Sequence, residues 1–115
     1  MQDFYKLSFW ERSHKLVLIY YKLTKNYPKE EIFGLVSQIG RSSSSIPTNI
    51  AEGCGRNSKP QLRNFLQIAT GSISELQYQT LLSLELGYIS KEDFSYLDSE
   101  LIQIRKMIFS YSSKL

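Results

Sequence analysis

The spacing of the apolar residues constrains this chain more than any other feature. Phe94, Leu97, Leu101, Ile104, Ile108, Tyr111 and Leu115 follow one another at alternating steps of three and four. That spacing sets them all on one stripe of an α-helix, close to a heptad seam. A second run, Leu62, Leu66, Ala69, Ile73, Leu76, Thr80 and Leu84, also repeats at three and four. No segment alternates with the period of two that a half-buried strand requires. A chain written this way must bury helical stripes against one another, so the expected fold is all-α.

Punctuation between the stripes sets the expected boundaries. Ser8-Phe9-Trp10-Glu11 has the S-x-x-E form of a capping box, which predicts a first helix from about Phe9 to Asn26. Leu16, Ile19, Leu23 and Tyr27 fall on one face and Trp10, Val17 and Tyr21 on the next, and Pro28 ends the run by forcing Tyr27 out of helical geometry. A second helix is expected from near Lys29, with Glu30 and Glu31 at its positive end. Its stripe is Ile32, Leu35, Val36, Ile39, Ser43, Ile46 and Ile50, and Gly53 and Gly55 close it. Pro47 interrupts this helix. The stripe stays in phase across it, which favours one kinked helix over two helices meeting there.

Ser58-Lys59-Pro60-Gln61 opens the third helix with an S-x-x-Q box, and Gly87 closes it. The run spans roughly 40 Å at 1.5 Å per residue. The fourth starts after Ser90. Four such helices joined by short loops predict one domain over residues 1–115, an antiparallel up-down-up-down four-helix bundle. The third helix carries further apolar residues off its main stripe: Phe65, Ile68, Tyr78, Leu81, Leu82 and Leu86. A surplus patch of this kind marks an association surface, so a homo-oligomer is expected, with cyclic closure covering every copy of the patch.

The composition narrows the functional classes. The longest unbroken apolar run, Leu16–Tyr21, is six residues against the roughly 20 of a membrane span. No basic segment leads into an apolar core at the N-terminus, so neither secretion nor membrane insertion is expected, and the location is read as cytoplasmic. One histidine, His14, and one cysteine, Cys54, form no zinc-ligand spacing, so no metal or cofactor is expected. Ser42-Ser43-Ser44-Ser45 has no base nearby in sequence, and its small side chains, like Gly71-Ser72, fit a close approach of two helices. No catalytic constellation is present, and the expectation is a non-enzyme.

Charge gives the better lead. All of the net +3 lies between Gly40 and Asn64, where Arg41, Arg56, Lys59 and Arg63 face Glu52 alone. Three of these cations flank the predicted loop between the second and third helices. They converge beside the free N–H groups that open the third helix, a setting suited to phosphates. Glu52 precedes Arg56 by four residues, the favourable order for a helical ion pair.

Several stretches together resemble a known family. Gly34-Leu35-Val36-Ser37-Gln38-Ile39-Gly40-Arg41, then Ser45-Ile46-Pro47-Thr48-Asn49-Ile50-Ala51-Glu52-Gly53 and Gly55-Arg56, resemble the 23S rRNA intervening-sequence proteins, which are four-helix bundles. Phe65-Leu66-Gln67-Ile68-Ala69-Thr70-Gly71-Ser72-Ile73-Ser74-Glu75-Leu76, Leu86-Gly87-Tyr88-Ile89, Trp10, Tyr20-Tyr21 and Tyr27-Pro28 fit the same pattern. The resemblance implies a bacterial protein without an established enzymatic activity that assembles as a pentamer, a ring of five bundles. It is also similar to the accessory variability protein of diversity-generating retroelements, a basic pentamer that binds reverse transcriptase and nucleic acid. On that likeness Arg41, Arg56 and Arg63 stand at basic positions, and Pro47, Asn49, Glu52 and Gly53 belong to the kinked-helix motif. The function expected is a nucleic-acid-associated adaptor that contacts RNA or DNA through Arg41, Arg56, Lys59 and Arg63. The alternative is a protein–protein scaffold that binds a polymerase or other partner without touching nucleic acid.

Overall fold

Two serines set the starts of the two longest helices. Ser58 accepts the Gln61 N–H at 3.3 Å ahead of α3 (Lys59–Glu85), and Ser90 accepts the Asp93 N–H at 3.0 Å ahead of α4 (Lys91–Ser112). The computed structural model describes residues 2–115, and the other helices are α1 (Ser8–Thr24) and α2 (Leu35–Cys54). Among the described residues there are four α-helices and no strand, the make-up of a four-helix bundle about 43 Å long. None of these helices is long and apolar enough to cross a membrane.

The predicted Gly87 stop is made in full. Gly87 has φ +80°, its N–H donates to the Leu84 carbonyl at 3.0 Å, and the Tyr88 N–H donates to the Ser83 carbonyl at 2.8 Å. These two bonds are a Schellman closure of α3. Tyr88 then folds back onto Tyr27, with ring centroids 5.0 Å apart, and its hydroxyl donates to Glu31 at 2.9 Å.

Other boundaries differ from the sequence reading. The Ser8 box does not form: Ser8 is already helical, no side chain caps α1, and Leu7 precedes it. Asp3 instead caps a short 3-10 turn at Phe4–Lys6, accepting the Tyr5 N–H at 3.1 Å, and that turn leads into α1. The second helix starts at Leu35 rather than near Lys29, because Lys29–Glu31 forms a separate 3-10 turn. Glu31 caps the later start, accepting the Leu35 N–H at 3.2 Å on a carboxylate oxygen. As a result Ile32 is 51% exposed instead of lying in the core. Tyr21 is also exposed, at 54%, since α1 buries only the narrow line Phe9, Ser13, Leu16 and Tyr20. α2 runs through Pro47 as a single 20-residue helix.

Gly53 does not act as a left-handed stop. It lies inside α2, and Gly55 caps the helix with an ordinary φ of −81°. A Cβ on Gly53 would sit 2.8 Å from the Phe65 Cβ, closer than carbon atoms pack, and a tight 3.1 Å from Leu62 Cδ1. The glycine therefore permits α3 to lie directly on α2. The serines continue this contact: Ser42 donates to Gln79 at 2.5 Å, and the Ser45 and Ser72 hydroxyls share a bond of 2.9 Å. Asn49 donates to both the carbonyl and the hydroxyl of Ser45, at 2.8 and 2.9 Å. Gly71, expected to take part in the same close approach, instead faces open space: a Cβ there would meet nothing within 4 Å.

Along this seam rising numbers in α2 meet falling numbers in α3. The same order holds for α1 with α4 (Phe9–Tyr111, Arg12–Glu100) and for α3 with α4 (Ser74–Arg105, Gln77–Asp98). The core comprises Leu16 and Tyr20 with Ile39, Ile46 and Ile50, Leu66, Ile73 and Leu76, and Leu97, Leu101, Ile104 and Ile108. Tyr20 shares a 2.7 Å hydrogen bond with Thr80, which in turn donates to the Leu76 carbonyl at 2.7 Å. Burial raises the pKa of Tyr20 and of Tyr27 above the usual tyrosine value.

The two glycines predict opposite outcomes in urea denaturation. Gly53→Ala lowers stability by about 1 kcal/mol or more, overpacking outweighing alanine's better helix propensity, whereas Gly71→Ala raises it by up to about 1 kcal/mol. A stabilised Gly53→Ala variant would contradict the close seam. The tyrosines predict a pH dependence. Their stabilising contribution is complete below the unfolded value of about 10 and is lost as pH climbs through that value toward the higher folded ones. Urea midpoints should therefore fall between about pH 9.5 and 11, less so in Tyr20→Phe, and equal falls in the two proteins would contradict the assignment.

Candidate nucleic-acid interface

α3 lies on α2 and is joined to it by the short segment Gly55–Ser58, so the cations flanking that segment are held at one end of the bundle. Arg56 and Lys59 line a recess of about 300 Å³ together with Gln2, Asn57, Ser58, Leu62 and the α4-end residues Tyr111 and Leu115. Arg56 is restrained on two sides. It pairs with Glu52 at 2.7 Å, as the spacing predicts, and its guanidinium lies 4.8 Å from the centre of the Phe65 ring. An exposed pair of this kind adds little stability, but it offsets part of the arginine's charge.

Arg63, one turn further along α3, faces α4 across a cleft of about 550 Å³ that Arg105 and Lys106 also line. Arg41 does not join this group. It donates to Ser37 at 3.0 Å and borders a different groove, beside Tyr20, Tyr21, Thr24 and Phe33. It lies fifteen residues before Arg56, about 22 Å along the helix axis at 1.5 Å per residue. Of the four cations singled out in the sequence, three are brought together and one is not.

The fold adds cations that local sequence does not reveal. A third cleft, of about 520 Å³, lies between the start of α1 and the end of α4 and is lined by Lys6, Lys106 and Lys114. The three clefts at this end thus carry Lys6, Arg56, Lys59, Arg63, Arg105, Lys106 and Lys114, and no aspartate or glutamate among the described residues lines any of them. Arg12, at the same end, is neutralised by a two-pronged contact with Glu100 at 2.9 and 2.7 Å, which raises its pKa further. Glu30, Glu31, Glu85, Glu92 and Asp93 sit on turns and helix ends at the far end. Lys22, Lys25, Lys29 and Lys91 stand among them, so acids and bases are mixed at that end, and what the modest net charge hides is the local excess of cations in the three clefts. Predicting Arg105 and Lys106 would have required knowing that the end of α4 passes beside the start of α3.

The remaining candidates fall in different settings. His14 is exposed and stacks on Trp10 with centroids 5.3 Å apart. Cys54 is buried, and burial raises its thiol pKa, which disfavours a reactive thiolate. In the surplus α3 patch, Ile68, Tyr78, Leu81 and Leu86 are exposed. Phe65 and Leu82 are half-buried, the first against Gly53 and the second against the core.

A family model described as "23S rRNA-intervening sequence protein" matches residues 5–110. A crystal structure from Bacteroides thetaiotaomicron, described as a protein with unknown function from the S23 ribosomal protein family, is similar to the chain. It has a TM-score of 0.84 at 26% identity and covers 91% of this chain and 95% of its own. No curated protein matches the chain. The match over residues 5–110 places this chain in the 23S rRNA-intervening sequence protein family.

Proposed function

We propose that this chain is a non-enzymatic, oligomeric adaptor that associates with RNA or DNA through the cationic end of its bundle. The observation that carries this reading is the set of clefts described above, seven basic side chains with no carboxylate in the lining, of which Arg56 is ion-paired from outside it by Glu52. Phosphates are the anions such a surface meets most often, and neutralising them releases counterions. The start of α3 supplies backbone donors at the same end.

The bundle in this reading is up-down-up-down and antiparallel, which the opposed order of helix contacts supports, and α2 bends at Pro47, which cannot donate to the Ser43 carbonyl. The assembly is a ring, taken as a pentamer from the family resemblance. Ile68, Tyr78, Leu81 and Leu86 form its contact surface, with Phe65 and Leu82 beneath. Copies in a ring place several cationic ends on one rim and multiply weak phosphate contacts. The single histidine lies on the outside of α1 and the single thiol is buried, which favours binding over catalysis. The adaptor acts in the cytoplasm, and a reverse transcriptase is one partner of the expected type.

A second reading, a protein scaffold, is favoured by the opposite end of α2. There Phe33 is 97% exposed beside Ile32 and Tyr21 on a groove of about 460 Å³. An apolar, aromatic surface of that kind suits a protein partner.

The two readings separate in a titration of a fluorescein-labelled 20-nucleotide RNA, followed by anisotropy at rising salt. The adaptor reading predicts an affinity that falls with a log–log slope of about −0.7 per phosphate contacted. Lys59→Glu with Arg63→Glu should abolish binding, and Arg41→Glu should leave it within about twofold, as expected for a cation outside the contact surface. Equal losses in both variants, or no binding at low salt, would contradict the adaptor.

A further inference from the structure

We propose that the α3–α4 cleft is a stacking site for single-stranded nucleic acid, with Phe109 as the platform for a base and Arg63, Arg105 and Lys106 holding the adjacent phosphates. This rests on the adaptor reading and specifies which form of nucleic acid it takes. Phe109 is 74% exposed although its neighbour Ile108 is fully in the core, so the ring stands on the outer lip of the cleft. The floor is apolar, formed by Leu66 and Ile108, and the polar wall is Gln67, Thr70 and Ser112. Cations border the ring, and no carboxylate lines the cleft among the described residues.

Arg105 is held by neighbouring side chains. It donates to Ser74 at 3.2 Å and to Gln77, whose amide donates to Asp98 at 3.1 Å. Both bonds use Nη2 and face away from the cleft lining, so it is Nη1 and Nε of this held guanidinium that remain to meet a phosphate. An unstacked base presents its face to a ring, and a backbone tracking along cations is the general pattern of single-strand recognition. Bases inside a duplex are already stacked on each other, and a slot between two helices of a small bundle cannot receive them. Charge distinguishes this ring from Phe33, whose groove is lined by a single cation, Arg41, among the described residues. The Phe109 cleft is therefore the one that complements a polyanion.

The test uses the full chain, a labelled 12-nucleotide poly-uridine RNA and a 12-base-pair RNA duplex, with anisotropy at low salt. Phe109→Ala should weaken single-strand binding by roughly 5- to 100-fold with an unchanged salt slope, and duplex binding should move less than twofold. Phe109→Trp should retain single-strand affinity. Circular dichroism should give equal helicity for all variants, since an exposed ring contributes little to the core. If Phe109→Ala retains single-strand affinity while Arg63→Glu with Lys106→Glu loses it, stacking is overturned and the electrostatic adaptor stands. If the wild-type chain binds neither RNA but takes up an acidic amphipathic peptide at this cleft, both readings are overturned.

Discussion

The structure depends on how closely α2 and α3 approach. At Gly53 the two helices meet with no space for a methyl group, and further along the same seam the contact passes through Ser42, Ser45 and Ser72. Small side chains bring the backbones together, and the hydroxyls find partners across the seam, so the tight contact leaves no buried polar side-chain atom unpaired among the described residues. Locking this pair fixes the segment Gly55–Ser58 and with it the directions of Arg56 and Lys59. The other helices are added through more scattered contacts, Arg12 with Glu100 for α1 and α4, and Gln77 with Asp98 for α3 and α4. Between those contacts the surfaces separate, and the clefts lie there.

The bundle end that carries these clefts is also where the charge collects. A chain of net charge +3 has little reason to attract a polyanion if its charges are mixed evenly. Here Lys6 of the first turn, Arg56 of the loop, cations of α3 and α4, and Lys114 just past α4 gather around three clefts, while at the other end Glu30, Glu31, Glu85, Glu92 and Asp93 are mixed with Lys22, Lys25, Lys29 and Lys91. At physiological salt, fields fade over about 8 Å. What matters is therefore the local density of cations within a cleft, not the total over the chain. Packing has produced that density, and the composition conceals it.

Much of the fold was legible because its signals are local. Ser58, Ser90 and Gly87 act within a few residues of themselves, and each behaves as its neighbours in sequence imply. The regular stripe of α4 likewise reports its buried face directly. Failures came where a distant partner decides the outcome. Ser8 is displaced from its cap by a preceding turn that Asp3 holds, and Glu31 serves Leu35 rather than the turn it belongs to. Gly53 resembles a helix stop until Phe65 is placed against it. The candidate site was half legible for the same reason. Arg56, Lys59 and Arg63 flank one loop and group by sequence position alone, whereas Lys6, Arg105, Lys106 and Lys114 join them through pairing of helices remote in sequence.

The claim that the cationic end is the working surface is tested most directly by amide chemical shifts of the isotope-labelled protein during titration with a short RNA. The account predicts perturbations grouped over residues 55–67 of the loop and α3 and residues 105–114 at and just past the end of α4, with the Tyr21, Phe33 and Arg41 region unmoved. Perturbations centred on Tyr21, Phe33 and Arg41, with the loop end silent, would contradict it.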